Sequence, residues 1–309
     1  VRGLHDEGFK IFLTGSSSKL LSKEIATSLR GRTLSYLLLP FSFNEFIRTR
    51  NLIFDVKKLS SQEKSLLLNS INDYIEFGGF PEVVLESNKG TKLKILNEYL
   101  DLVVYRDIIE RYNIRNSQLV KWIIKSLLSS FAKEFSVNKL YLSLKSQGIN
   151  LSKNTLYSYL SILEDSNFVF TLKKFNYSVR KRELGINKVY LADIGFANIG
   201  ESSKDIGRKM ENIILLELIK GNNDKQDIFY WKNQQQEEVD FVIKENNNIK
   251  ELIQVCYDIK NSETKKREIR ALLKASKELK CKNLKVITWD YEGTEEGVQF
   301  LPLWKYLDN

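Results

Sequence analysis

Four positions in the C-terminal third carry residue types suited to chemistry on a phosphodiester. Glu211 stands in an amphipathic stretch, Asp240 closes the run EEVD, and the next apolar strand, LIQVC, offers Gln254 and Cys256. An acid on a helix, an acid on one strand and E-x-K on the next can hold Mg²⁺ while the lysine positions or deprotonates water. Here Gln254 and Cys256 fill the E and K places. A neutral amide is a poor substitute for a carboxylate, and a thiol cannot supply the lysine's positive charge. The expectation is a nuclease-shaped domain without cleavage, with Glu211 and Asp240 as its remaining candidate metal ligands.

A second group is cationic. Between Lys173 and Lys188 lie Lys173, Lys174, Arg180, Lys181, Arg182 and Lys188 against one acid, Glu183, with Tyr177 interleaved. That density suits contact with a phosphate backbone. Just upstream, SKNTLYSYLSILEDSN reads as a helix with Ser152 as N-cap, and Lys153, Asn154 and Tyr157 near its start could meet base edges. The third group lies near the front, where IFLTGSSSKLLSKEIATSLRGRTLSYLLLPF runs from a strand through small hydroxyl residues into a helix and a second strand. Hydroxyls at Thr14, Ser16 and Ser17 could reach a γ-phosphate or its attacking water. Arg30 or Arg32 could project beyond the helix toward a neighbour's nucleotide. No G-x-x-x-x-G-K-[ST] exists in the 309 residues, so this chain has no visible means of gripping a triphosphate.

The elements that must position these groups follow from periodicity. Residues 11–14 and 34–39 read as buried strands flanking a helix over 16–30, and the pattern from Phe41 to about Asn116 is helical, broken at FGGFPEVVL. Over 119–192 come three helices, the second capped by Ser136 and closed by Gly148. Two strands, FVFTLKKF and NKVYLAD, then form a hairpin. Three helices and a hairpin make a winged helix-turn-helix, with the third helix for recognition and the hairpin as wing. The tail reads as a helix over 208–220, strands at 228–231, 239–243 and 251–256, a charged helix over 263–279, the strand LKVITW and a closing PLWKYL. That order suggests a small mixed α/β domain.

Composition bounds the rest. The chain is 42% hydrophobic and 28% charged, as folded proteins are, with a net charge of +9 that permits a polyanionic partner. Two cysteines build no disulfide framework and one histidine builds no zinc cluster. No apolar run reaches bilayer length, and a cytoplasmic setting without a membrane is expected. The only methionine is Met210, and the chain opens on Val1, which suggests the back portion of something longer.

Taken together, TGSSSKLLSKEIATSLRGR with LPFSFNEF, YIEFGGFPEVVL, VVYRDIIERYNIRN, SKNTLYSYLSILEDSNFVF, KVYLADIGFAN, DIGRKMEN, YWKNQQQEEVDFVI and IQVCYDI with KREIRALLKA resemble prokaryotic AAA-type ATPases that end in a domain of unknown function. The resemblance covers residues 10–309. It implies an α/β multidomain protein: the C-terminal part of an AAA core at 1–50, a helical extension at 51–118, a winged helix at 119–192 and a restriction-endonuclease-like domain at 193–309. It carries Thr14, Ser16 and Ser17 onto the sensor segment and Arg32, with Arg30 second, onto the arginine finger. It implies ATP and Mg²⁺ in the intact protein, and as partners DNA, a P-loop segment ahead of this one and further copies of the chain. Two other readings stand beside it: a non-enzymatic DNA-binding protein acting through 119–192, and a metal-dependent nuclease.

Overall fold

In the computed structural model, the described residues are 2–15, 34, 36–199, 205–222 and 226–308. The front of the chain has a short helix α1 (Arg2–Asp6), and the expected helix over 16–30 lies outside the described residues. The expected flanking strands are not seen among the described residues. Residues 11–14 and 36–39 have no ladder partner among the described residues, and Phe12 and Leu38 are 90% and 94% exposed. A strand apolar on both faces needs neighbours for its backbone groups and cover for its side chains, and none is seen among the described residues.

From Ser42 the chain packs. Helices α2 (Phe43–Thr49) and α3 (Ser61–Phe77) each open with a capping box, Ser42 with Glu45 and Ser60 with Glu63. Helix α4 (Pro81–Leu85) starts on a proline at its first turn, and α5 (Lys89–Leu102) runs on into a π-helical segment over Val103–Glu110. Next come α6 (Ser117–Ser130), β1 (Lys133–Phe135), α7 (Val137–Ser146), α8 (Lys153–Asp165), β2 (Val169–Leu172), a short helix α9 (Val179–Glu183) and β3 (Asn187–Leu191). Their three strands form an antiparallel sheet in the order β1-β3-β2. The expected simple hairpin is thus wrong in two respects: α9 stands inside its connection, and β1, absent from the sequence reading, pairs with β3.

The last unit begins with α10 (Ile206–Gly221), then β4 (Gln226–Lys232), β5 (Glu238–Glu245), β6 (Asn248–Cys256), α11 (Ser262–Leu279), β7 (Leu284–Thr288), β8 (Gly293–Glu295), β9 (Val298–Pro302) and α12 (Leu303–Tyr306). Its sheet order is β4-β5-β6-β7-β9-β8. β4, β5 and β6 form an antiparallel meander, and α11 carries the chain across so that β7 lies parallel to β6. β9 inserts parallel beside β7, with β8 antiparallel outside it, a pair the sequence reading missed.

One hydrophobic cluster runs from Phe43 to Leu307 and is shared by the helical region, the three-helix unit and the α/β unit. Polar locks fix the joints. Arg208 donates from Nε to the Phe131 carbonyl at 2.9 Å and from Nη2 to the Ser129 carbonyl at 3.0 Å, covering the carbonyl end of α6. Asp193, just after β3, accepts from the Gly79 and Gly195 N–H groups, each at 2.7 Å. The glycines of FGGF are required here: Gly78 has φ +76°, and a Cβ on Gly79 would lie 2.2 Å from the Phe41 carbonyl oxygen.

Burial pushes the Asp193 carboxyl up to about 6, against the lowering effect of its two N–H partners. The folded chain therefore holds a proton that the unfolded chain has released between about pH 4 and 6. This contribution is present below that window and falls as pH rises through it. Asp193→Asn should remove the slope: the stability difference between wild type and variant should decline by up to about 3 kcal/mol across the window in urea titrations.

Candidate functional site

Strand alternation and one helix bring a set of ionic side chains to a single buried point. On β3, Lys188 and Tyr190 share a face; on β5, Glu238 and Asp240 share a face; Glu211 projects from the middle of α10, where Arg208 to Leu216 are all buried. The Lys188 ammonium, 2% exposed, lies 2.8 Å from Glu211 Oε1, 2.6 Å from Glu238 Oε1 and 3.0 Å from Asp240 Oδ1. Tyr190 donates its hydroxyl to Glu211 Oε1 at 2.7 Å, and the Val255 N–H donates to Asp240 Oδ2 at 3.0 Å. Asn212 fixes the end of β3, accepting from the Leu191 N–H at 2.8 Å and donating to the Leu191 carbonyl at 3.0 Å. The cluster continues outward from Glu238 to Lys232 at 3.3 Å, and from Lys232 to Glu134 at 2.9 Å.

The electrostatics follow from two buried carboxylates and a half-buried third facing one buried ammonium. Burial, and then the neighbouring Asp240, pushes Glu211 up to about 8. Burial also raises Asp240, with Lys188 acting against it. Burial alone would discharge Lys188, but Glu211, Tyr190, Asp240 and Glu238 hold it well above its ordinary value.

Glu211 and Asp240, separated by 28 intervening residues, are thus brought together as the sequence expects, but around a lysine. Gln254, in the third-strand position, is fully committed. Its Oε1 accepts from the Asp240 N–H at 3.1 Å and its Nε2 donates to Glu268 Oε2 at 2.8 Å. Burial pushes the Cys256 thiol up to about 12, so it offers no thiolate. Among the described residues no group of three or more His, Cys, Asp or Glu is placed to hold a metal ion, and this donor set does not fit one as it stands. A cavity of about 360 Å³ opens beside the cluster, with Glu238, Arg267, Glu268 and Arg270 in its wall.

The cationic residues divide. Lys153, Asn154 and Tyr157 are exposed on α8, as are Ser158 and Ser161, so a continuous polar face looks outward from that helix. Arg180 and Lys181 are exposed on α9. Lys173 is paired with Glu183 at 2.8 Å, and Arg182 lies over the Phe229 ring at 5.3 Å. Lys188, counted in sequence with the backbone-contacting set, points inward, because alternation along β3 puts it on the face covered by α10 and β5. The β2–β3 connection is not a free wing either. The Phe175 N–H donates to the Tyr230 carbonyl at 2.7 Å, the Tyr230 N–H donates to the Lys173 carbonyl at 3.1 Å, and Phe175 stacks edge-on against Phe229 with ring centres 5.6 Å apart. At the front, Thr14 is exposed, while Ser16, Ser17, Arg30 and Arg32 lie outside the described residues.

Sequence reading missed Lys188, Tyr190, Glu238, Asn212 and Glu268 as members of one centre. Period-two alternation in NKVYL and EEVD could have paired Lys188 with Tyr190 and Glu238 with Asp240. No local signal could have said that the two strands face each other.

Comparison with known proteins gives the class first. A family model described as an AAA domain matches residues 1–47, and two described as domains of unknown function, DUF8612 and DUF4143, match residues 68–204 and 206–306. The first of these matches supports an AAA-type relationship over the opening segment. It belongs to the family of uncharacterized protein MJ1544 of Methanocaldococcus jannaschii, to which it is 44% identical over 99% of its own length and 70% of that protein's. An uncharacterized protein of Haemophilus influenzae is 30% identical over 68% of the chain and 51% of its own length. No solved structure matches. Among the described residues no helix is long and apolar enough to cross a membrane.

Phe175 is 6% exposed and anchors the β2–β3 connection on β4. Phe175→Ala should cost about 3 kcal/mol in denaturant unfolding. It should also speed amide exchange over residues 173–186 more than over β5 and β6.

Proposed function

We propose that this chain contacts duplex DNA through α8 and α9 as the DNA-facing part of an AAA-type ATPase, and that its C-terminal unit is a nuclease-shaped scaffold that does not cleave. The observation that carries the reading is connectivity. The order α6-β1-α7-α8-β2-α9-β3, with its sheet in the order β1-β3-β2, supports a winged-helix reading. Its third helix offers Lys153, Asn154 and Tyr157 to solvent, and the segment between its last two strands offers Arg180 and Lys181. The polar face on α8 suits base edges, and the two cations suit the backbone beside them.

The α10-β4-β5-β6-α11-β7 order, an antiparallel meander followed by a parallel strand, supports the nuclease-shaped reading. The commitment of Gln254 and the place of Lys188 support the absence of cleavage. ATP and Mg²⁺ are proposed for the family's longer proteins rather than for these residues, which contain no P-loop. There Thr14, Ser16 and Ser17 would sense the nucleotide, and Arg32 or Arg30 would reach a neighbouring copy's phosphates. The alternative is DNA binding through the same face with no nucleotide dependence, and adding ATP to the longer relative in a binding assay separates the two.

Fluorescence anisotropy with a duplex of about 25 base pairs tests the interface. Affinity should fall roughly a hundredfold or more between about 50 and 200 mM salt, and Lys153→Glu with Arg180→Glu and Lys181→Glu should weaken it a further tenfold or more at low salt while flattening the salt slope. Arg182 is left intact because it helps hold the connection on Phe229. Equal binding by wild type and the triple variant would end this reading.

A further inference from the structure

We infer that the Lys188 ammonium stands in the place of a divalent cation, which closes the acid centre of the α/β unit to metal and makes it an internal ion cluster. The Lys188 ammonium donates to Glu211 Oε1 at 2.8 Å and to Asp240 Oδ1 at 3.0 Å, and Glu238 Oε1 completes the set as an ion pair at 2.6 Å. Two of the remaining carboxylate oxygens are in use as well: Asp240 Oδ2 takes the Val255 N–H, and Glu238 Oε2 meets Lys232. Gln254 is held by its neighbours: its Oε1 accepts from the Asp240 N–H and its Nε2 donates to Glu268, so the position that would offer a carboxylate offers a neutral amide.

The ammonium is delivered from outside the unit that supplies the acids. It rides on β3, whose end is held by Asn212, and β3 pairs with β1 and β2 rather than with any strand of the larger sheet. The replacement is therefore built from two units, and Lys188 cannot leave unless they part. Calcium takes carboxylate oxygens at about 2.3–2.6 Å. With the ammonium gone, the three oxygens would need to close in by only a few tenths of an ångström. The cavity beside Glu238 and Glu268 gives an ion a way in. None of this depends on whether α8 contacts DNA, and the test contains no nucleic acid.

The experiment is thermal unfolding of the full chain with CaCl2 or MnCl2 against EDTA. Wild type should show no metal-dependent shift that Asp240→Asn abolishes. Lys188→Met leaves two buried carboxylates, on Glu211 and Asp240, and the half-buried Glu238 without their cation, so it should be strongly destabilised in EDTA. It should recover with metal, its Tm rising by about 5 °C or more at a roughly hundredfold excess over Kd. Adding Asp240→Asn to that variant should erase the recovery. Folding of Lys188→Met only in the presence of metal supports the inference equally. Lys188→Met with Glu238→Gln, which carries one negative charge fewer around the site, is read in the same way. The inference is overturned if wild type gains a metal-dependent shift that Asp240→Asn removes, or if neither Lys188 variant responds to metal.

Discussion

Everything in the C-terminal half is arranged around one desolvated positive charge. An ammonium out of water is tolerable only beside opposite charge, and two buried carboxylates are tolerable only around a cation. Lys188 and the acids from α10 and β5 therefore require one another. Because the lysine comes from one sheet and the acids from the other unit, that requirement sets where β3 must lie against β5 and α10. Tyr190, two residues along, repeats the constraint through Glu211. Lys232 and Glu134 extend it to β1.

The joints around this centre have the same character. Arg208 on α10 holds the carbonyl end of α6, Asn212 holds β3, and Asp193 holds the glycine turn after α3. Each is a polar side chain placed where a backbone group would otherwise be buried without a partner, and each joins segments distant in sequence. With a common apolar cluster running through all three regions, these contacts make one packed body from the described residues beyond Ser42. The proposed DNA-facing helix α8 therefore stands on a base that includes the acid centre.

Much of the fold was legible locally. Ser136 and Ser152 act as N-caps, and α7 and α8 run where the helical period placed them. The helix α10, the meander and the crossover helix α11 fall within a few residues of expectation, because hydrophobic period and cap residues are local properties. What failed was non-local. The segments at 11–14 and 36–39 read as strands, but a strand is made by neighbours, and no neighbour is recorded in its own residues. β1 and the β8–β9 pair are three to five residues long, too short for alternation to stand out. The basic run at 173–188 was legible as charge but not as geometry: the same composition holds a solvent-facing Lys181, an Arg182 stacked on a ring and a Lys188 buried against acids.

The docking of residues 173–175 along β4 has one more consequence. β4 is the outermost strand on its side of the six-stranded sheet, and an open row of amides and carbonyls there would invite a strand from another molecule. The isolated parallel bridge between Lys174 and Tyr230 occupies part of that row. The opposite margin ends in β8, only three residues long. One margin of the larger sheet is thus partly occupied by its own chain and the other is cut short, and both features limit strand pairing edge to edge.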